Sequence, residues 1–212
     1  RISEYAHSDR GMGEILECVH QEVARLMVAD NFFVMLWDHA TDTVVMPYYV
    51  DIEDTSLPRM LRHPVPISEL PNSLAVRVMR ENRPMLGSWG ELCRKAGIDT
   101  ALSHGPASTA WLGVPMRRGE TVTGAVVVQS YDHAASYDED SLQLLEYVAQ
   151  HLQMAMVRRK SRDELEARVV ERTAQLSAAN VELQGEIRER QRAEALQRAL
   201  FRLSELSSTH LG

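Results

Sequence analysis

The residues of this chain that could carry chemistry are few and widely separated. Only two cysteines are present, Cys18 and Cys93, which is too few for a disulfide framework or a four-cysteine zinc site. The sequence contains no Gly-rich phosphate loop, no histidine–carboxylate metal spacing and no nucleophile elbow. The sequence therefore predicts no catalytic residue and no metal site, and the remaining candidates are residues that could bind a ligand.

Aromatic side chains in the middle of the chain are suited to a planar small molecule. Tyr48 is one candidate, although aromatic residues at strand positions also serve as core. The segment WGELCRKAG adds Cys93 as a candidate, and SHGPAS adds His104. Each also has an ordinary interpretation, Cys93 as a small hydrophobic side chain and His104 as a solvated imidazole. The predicted ligand site consists of Tyr49, Trp89, Cys93, His104 and Trp111.

Composition and charge narrow the function classes. The 212 residues include 23 basic and 30 acidic side chains, and the formal net charge of -7 repels nucleic acid. No apolar run reaches the roughly 20 residues of a membrane span, and no leader pattern opens the sequence. We expect a soluble, cytoplasmic protein without a nucleic-acid partner.

The first part of the chain has the pattern of an α+β domain. GEILECVHQEVARLM predicts an opening helix, NFFVMLWD and TDTVVMPYY predict a hairpin, and PNSLAVRVMREN predicts a helix capped by Asn72 or Ser73 inside an irregular excursion. TAWLGVPM and VTGAVVVQSY predict a second hairpin, in which the run Val126–Val128 is typical of a strand covered on both faces. We predict an antiparallel sheet flanked by helices, with a binding pocket under the excursion.

The last part of the chain is predicted to be one very long helix. All eight prolines lie in the first 115 positions, and a closing helix begins after the acidic YDED. Seam residues then recur every seven positions in two alternating registers, one with Val169, Leu176 and Leu183 and one with Thr173, Asn180 and Ile187. This spacing predicts a parallel homodimeric coiled coil, in which the Asn180 amides pair across the seam and fix its register. The alternative, a single charged helix in water, leaves the apolar stripe unexplained.

These elements, with LGVPMRRGETVTGAVVVQSYDHAASYDEDSLQLLEYVAQHLQMAM as the most specific stretch, resemble a GAF domain, a small-molecule-sensing module of signalling proteins and phosphodiesterases. The resemblance implies a preceding helix end at 1–10, a GAF domain at 11–157 and a signalling helix at 158–212. NFFVMLWD, VQSYD and the helix from RRKSRDELEARVV onward resemble a narrower bacterial group, in which the output is a GGDEF diguanylate cyclase that makes cyclic di-GMP, sometimes with an EAL phosphodiesterase. Histidine kinases use similar linkers.

The resemblance also points to three kinds of ligand that GAF domains bind, namely haem, bilins and cyclic nucleotides. His104 lies where some haem-binding GAF sensors carry their iron ligand, which makes haem a minor option, and Cys93 lacks the setting of a bilin-attaching cysteine. Tyr137 and Asp140 match two positions of the cyclic-nucleotide set without the Asn and Lys partners. The resemblance therefore does not single out one of these ligands.

The two ends of the chain are similar. RISEYAHSDRG and RLSELSSTHLG share four identities, which the resemblance explains as the starts of two successive GAF-like units, although common helix-end residues would explain them as well. We expect a non-catalytic, dimeric sensor that relays a ligand or conformational signal to a C-terminal output domain. The alternatives are a ligand-free dimerisation module, a histidine-kinase sensor and an enzyme resembling free methionine-sulfoxide reductase.

Overall fold

The computed structural model describes residues 11–54, 63–100, 106–132, 134 and 136–209, with side chains described as far as residue 200. The predictions for residues 1–10, for His104 and for the similarity of the two chain ends concern side chains outside this range. The chain divides into two compact units, Arg1–Arg159 and Lys160–Gly212.

The first unit is built on an antiparallel sheet. Its described strands are β1 (Asn31–Asp38), β2 (Thr43–Val50), β3 (Val65–Pro66), β4 (Met85–Gly87), β5 (Ala110–Arg118) and β6 (Thr121–Ser130). Their spatial order is β3-β2-β1-β6-β5-β4, and every neighbouring pair is antiparallel. The predicted α+β class with an antiparallel sheet is confirmed.

Both predicted hairpins are present, and their turns have suitable residues. Asp42 between β1 and β2 has φ +51, a left-handed conformation that Asp tolerates, and Gly119 between β5 and β6 has φ +61. In β2, Pro47 lies at an irregularity in the pairing with β1, between the pairs Val34–Tyr48 and Leu36–Val45. Proline has no backbone N–H, so an interrupted register accommodates it inside a sheet.

Among the described residues, three short helices come before the long one. They are α1 (Met12–Ala24), α2 (Leu74–Glu81) and α3 (Trp89–Ala96), and a 3-10 turn covers Ile67–Glu69. Ser73 caps α2 by accepting a hydrogen bond from the Val76 amide at 3.3 Å, which confirms one of the two predicted caps. Ser88 caps α3 in the same way, and Gly97 ends it with φ +65.

The sheet has two covered faces. The excursion face is covered by α2 and α3 of the excursion (residues 51–110), and its core includes Val127. The opposite face, the helix face, is covered by α1 and by α4 (Glu139–Thr209), and its core includes Val126 and Val128. All three valines have no exposed area, so the predicted two-sided burial of β6 is confirmed.

Within the first unit, α4 presents a regular apolar face. Leu145, Val148, Ala149 and Leu152 are almost fully buried against the helix face of the sheet. The predicted closing helix is therefore confirmed. The second unit consists of the remainder of α4, whose 71 residues continue to Thr209.

Candidate functional site

The excursion face brings together four of the five residues predicted to bind a ligand. Trp111 and Cys93 are buried in its core, and Tyr49 and Trp89 pack against that core while remaining partly exposed. His104 lies outside the described residues. Tyr48, the other aromatic candidate, lies on the helix face instead, because neighbouring residues of a strand point to opposite faces.

Trp111, near the start of β5, lies in the buried core of this face. Its indole lies across Gly113, where an added Cβ would overlap the ring. The Tyr49 ring packs beside Phe33 with a centroid separation of 6.0 Å. Aromatic surfaces in this arrangement can stack with a planar ligand.

Cys93 is placed to pack rather than to react. Its side chain has no exposed area, and burial raises the pKa of the thiol. A thiol of raised pKa holds less thiolate at neutral pH, and thiolate is the nucleophile. This position opposes a catalytic role for Cys93.

We expect Cys93 to react slowly with a thiol reagent in the folded protein. In a Cys18→Ser variant, native-state labelling of Cys93 should be at least about tenfold slower than labelling in denaturant, because reaction requires opening of the core. Mass-resolved labelling over time measures both rates. Equal rates in the folded and unfolded states would contradict this placement.

A polar network at the edge of the excursion face was missed by the sequence analysis. Asp51, just after β2, is buried, and its carboxylate accepts hydrogen bonds from Gln129 Nε2 at 2.6 Å and from the Tyr131 hydroxyl at 3.0 Å. The same carboxylate accepts the Glu53 and Asp54 amides at 2.9 Å. Two strand ends are thereby joined across β1.

Asn31, the first residue of β1, completes the Asp51 network. Its Nδ2 donates to the Gln129 carbonyl at 3.0 Å, and its Oδ1 accepts the Ile52 amide at 2.7 Å. Asn31 and Gln129 are register partners, and they flank strands that are otherwise strongly apolar. In the sequence, these two polar residues at the ends of apolar strands were the signal that could have revealed the network.

The tyrosines near this network are held in their neutral form. Burial, reinforced by Asp51, raises the pKa of Tyr131 and Tyr49. Tyr49 donates its hydroxyl hydrogen to the Asp54 carbonyl at 3.0 Å. Ionisation of either phenol would place a second negative charge beside Asp51.

We therefore expect the free energy of unfolding to fall as the pH rises above about 10, the usual pKa of tyrosine. The unfolded chain loses these protons there while the folded chain keeps them, so alkali favours unfolding. Tyr131→Phe removes one such group and should make the decline above that pH less steep. Urea unfolding at several alkaline pH values measures the slope, and an unchanged slope would contradict the assignment.

A second tyrosine, Tyr137, lies just before α4 and is hydrogen-bonded as well. The Tyr137 hydroxyl donates to the Val28 carbonyl at 2.9 Å, and burial raises the Tyr137 pKa. Asp138 caps α4 by accepting bonds from the Ser141 amide at 2.9 Å and hydroxyl at 2.7 Å, which lower the Asp138 pKa. The start of the long helix is thus defined by side-chain contacts.

In the second unit, the predicted seam residues are exposed along the single helix. Val169, Leu176, Leu183 and Ile187 each have more than half of their surface exposed. The Asn180 Oδ1 accepts a 3.4 Å hydrogen bond from Gln184 Nε2 of the same helix. The structure does not test their pairing.

Among the residues described, no group of three His, Cys, Asp or Glu side chains is placed to hold a metal ion. No helix within the described ranges is both long and apolar enough to cross a membrane.

Solved structures share this fold at low sequence identity. A GAF domain of Acinetobacter phosphoenolpyruvate-protein phosphotransferase is 18% identical with a TM-score of 0.58, covering 76% of this chain and 91% of that one. A fragment of a methyl-accepting chemotaxis protein is 12% identical with a TM-score of 0.57, covering 74% and 96%. Free methionine-R-sulfoxide reductase from Neisseria meningitidis is 13% identical with a TM-score of 0.56, covering 76% and 87%. At such identities the likeness shows the fold alone.

The sequence itself matches one family. A comparison with curated proteins found no match. The family model described as GAF domain matches residues 11–156, which span the sheet, both covered faces and the first turns of α4. The chain therefore belongs to the GAF domain family.

Proposed function

We propose that this chain is a sensory GAF module that forms a parallel homodimer and relays a small-ligand or conformational signal through α4 to an output domain. GAF domains are signalling and sensory modules, typically regulatory and non-catalytic, and this chain contains one at residues 11–156. The buried Cys93 thiol gives no support to a catalytic alternative such as methionine-sulfoxide reduction.

The observation that carries this proposal is the exposed apolar stripe of α4. Leu176 is 71% exposed and Val169 is 62% exposed, Leu183 continues their seven-residue spacing, and Ile187 belongs to the alternate register with Asn180. Leaving such a stripe in water is unfavourable, whereas a second copy of the helix covers it completely. Asn180 lies within this stripe and supports a parallel, in-register arrangement.

The excursion face supports the sensory part of the proposal. Tyr49 and Trp89 keep part of their surface accessible beside the buried Trp111 and Cys93. A small molecule held against Trp89 would contact α3, and one held against Tyr49 would contact the end of β2. Ligand occupancy could then change how the excursion packs on the sheet.

A GGDEF-type output, which synthesises cyclic di-GMP, is proposed from the sequence resemblance of VQSYD and the α4 helix. The solved structures that share the fold come from a phosphotransferase and a chemotaxis protein, among others, so GAF domains accompany several outputs. A histidine-kinase output remains the alternative for the same helix.

A second candidate, a ligand-free dimerisation module, is favoured by one observation. Trp111 is only 3% exposed and its ring lies against Gly113, so a side chain of the domain already fills this part of the excursion face. Native mass spectrometry of freshly purified protein separates the two functions. A dimer that carries a small molecule supports the sensor, a bare dimer supports the structural module, and a monomer contradicts both.

Cross-linking tests the relay itself. In a Cys18→Ser background, Asn180→Cys should form a disulfide between two chains, whereas Ala178→Cys, on the other side of the helix, should not. If the seam responds to signalling, the Asn180→Cys yield changes when a ligand retained by the protein is removed. Identical yields in both states would contradict the relay.

A further inference from the structure

The short helix α3 lies between two glycines whose backbone conformations favour glycine. Gly87, at the end of β4, has φ +153, and Gly97, just after the helix, has φ +65. When a structural element moves, a few residues at its ends absorb the change in backbone angles, and glycine does so at little steric cost. The two glycines are therefore suited to act as hinges at both ends of α3.

Few side chains hold α3 in the core of the excursion face. Of its eight residues, Leu92 and Cys93 are buried, while Trp89 and Ala96 pack against the core and remain partly exposed. A helix of this length is not stable on its own. A segment with few buried apolar side chains opens locally at a lower cost than the sheet beneath it.

Arg77 of α2 provides a charged contact at the end of α3. Its Nη2 donates to the Ala96 carbonyl at 2.6 Å. Ala96 is the last residue of α3, where helix carbonyls lack a partner within the helix and a positive charge is favourable. At the other end of α3, the Trp89 amide donates to the Ser108 carbonyl at 3.2 Å. The Arg77 bond is the shorter and carries a charge, so it is the stronger of the two.

The helix that carries Arg77 is itself fixed on the sheet. Arg117 of β5 donates from Nε to Asn82 Oδ1 at 2.6 Å and from Nη2 to the Asn82 carbonyl at 2.9 Å, and Asn82 ends α2. The buried side chains of α2 are Leu74, Ala75, Val76, Val78 and Met79. This helix is thus anchored more firmly than α3, and α3 is fastened to it.

We propose that α3 is a movable cover on the excursion face and that Arg77 is the clasp that holds it closed. This inference rests on the proposed sensory function, since it names how a small molecule gains access to that face. Cys93 lies on α3 and has no exposed area, so a molecule reaches it only when α3 moves. When the Arg77 bond breaks, α3 turns about Gly87 and Gly97 while α2 stays on the sheet.

Cys93 is the reporter for this motion, because its thiol reacts with iodoacetamide only when α3 is open. In a Cys18→Ser background, Arg77→Met should speed native-state labelling of Cys93 roughly tenfold, since a hydrogen bond from a charged group is lost. Arg80→Met is the matched control, because it removes an exposed arginine from the same helix and should leave the rate unchanged. Glu81→Gln removes the 3.5 Å ion pair of Arg77 but keeps the guanidinium, and it should also change the rate little.

Amide exchange at Val126–Val128 in β6 separates opening of the cover from unfolding of the domain. These amides should keep their protection in Arg77→Met. In the protein that retains Arg77, low concentrations of urea should speed Cys93 labelling less than they speed β6 exchange, because a local opening exposes less surface. This second measurement requires no substitution at Arg77.

The proposal fails on either of two results. One is labelling of Cys93 that is no faster in Arg77→Met than in Arg80→Met. The other is an equal urea dependence of Cys93 labelling and β6 exchange, which would mean that α3 opens only when the whole domain unfolds. These measurements use iodoacetamide as the only small molecule. A protein that carries no natural ligand would therefore contradict the sensor and leave the cover standing, so the two failures are distinguishable.

Discussion

Replacing Leu176 and Leu183 together with aspartate is expected to convert the proposed dimer into monomers. Each leucine is more than half exposed on the single helix and would be covered in the seam. Burial of a leucine contributes about 1.5–3 kcal/mol, and four leucines per dimer are lost. The association free energy should fall by at least about 6 kcal/mol, or roughly four powers of ten in dissociation constant. Sedimentation equilibrium of the 212-residue chain measures this change.

The matched control for this change lies on the other side of the same helix. Val181 is exposed to a similar degree, 67%, and like the exposed Ala178 it lies outside both seam registers, on the other side of the helix. The double aspartate variant at Ala178 and Val181 should remain a dimer with little change in affinity. The proposed dimer seam would be contradicted if the control variant dissociated. It would also be contradicted if the wild-type chain were already monomeric at high concentration.

Gly124→Ala is expected to destabilise the first unit severely. Gly124 lies in β6 opposite Leu36, and an added Cβ would overlap the carbonyl oxygen of Met35 in the neighbouring strand. Since that oxygen belongs to the backbone of a central strand, it cannot move without disturbing the sheet. We expect a loss of about 3 kcal/mol or more in the free energy of unfolding, measured by chemical denaturation of the first unit.

Gly185→Ala is the control for this change, and it is expected to stabilise the protein. Gly185 lies in the interior of α4, where an added Cβ meets nothing within 4 Å. Alanine should stabilise the helix there by roughly 0.5–1 kcal/mol, because glycine loses more backbone entropy. Circular dichroism at the helix minimum reports this gain on heating. A Gly124→Ala protein as stable as wild type would show that β1 and β6 can separate, contrary to their placement.

Local patterns in the sequence determined most of the elements. The β-branched and aromatic runs of β1 and β6 specify strands, and the absence of proline after Pro115 permits a helix that continues from Glu139 to Thr209. The seven-residue spacing of Val169, Leu176 and Leu183 is likewise a property of the sequence, although its pairing stays a prediction. Short elements were missed because two or three residues, as in β3 and β4, carry no detectable period.

Other features depended on the arrangement of distant segments. Tyr48 and Tyr49 are adjacent in the sequence, yet the pleat of β2 sends Tyr48 to the helix face and Tyr49 to the excursion face. Which face meets the excursion depends on the strand order, which no local pattern contains.

The sequence by itself thus determined the class of domain, the hairpins, the long helix and its apolar stripe, since each follows from the period or composition of a continuous segment. Only the tertiary structure decided that Asp51 meets Tyr131, because 80 positions separate them and the contact exists only when β2, β1 and β6 lie side by side. A buried carboxylate must find hydrogen-bond donors, and the fold alone specifies which donors are within reach.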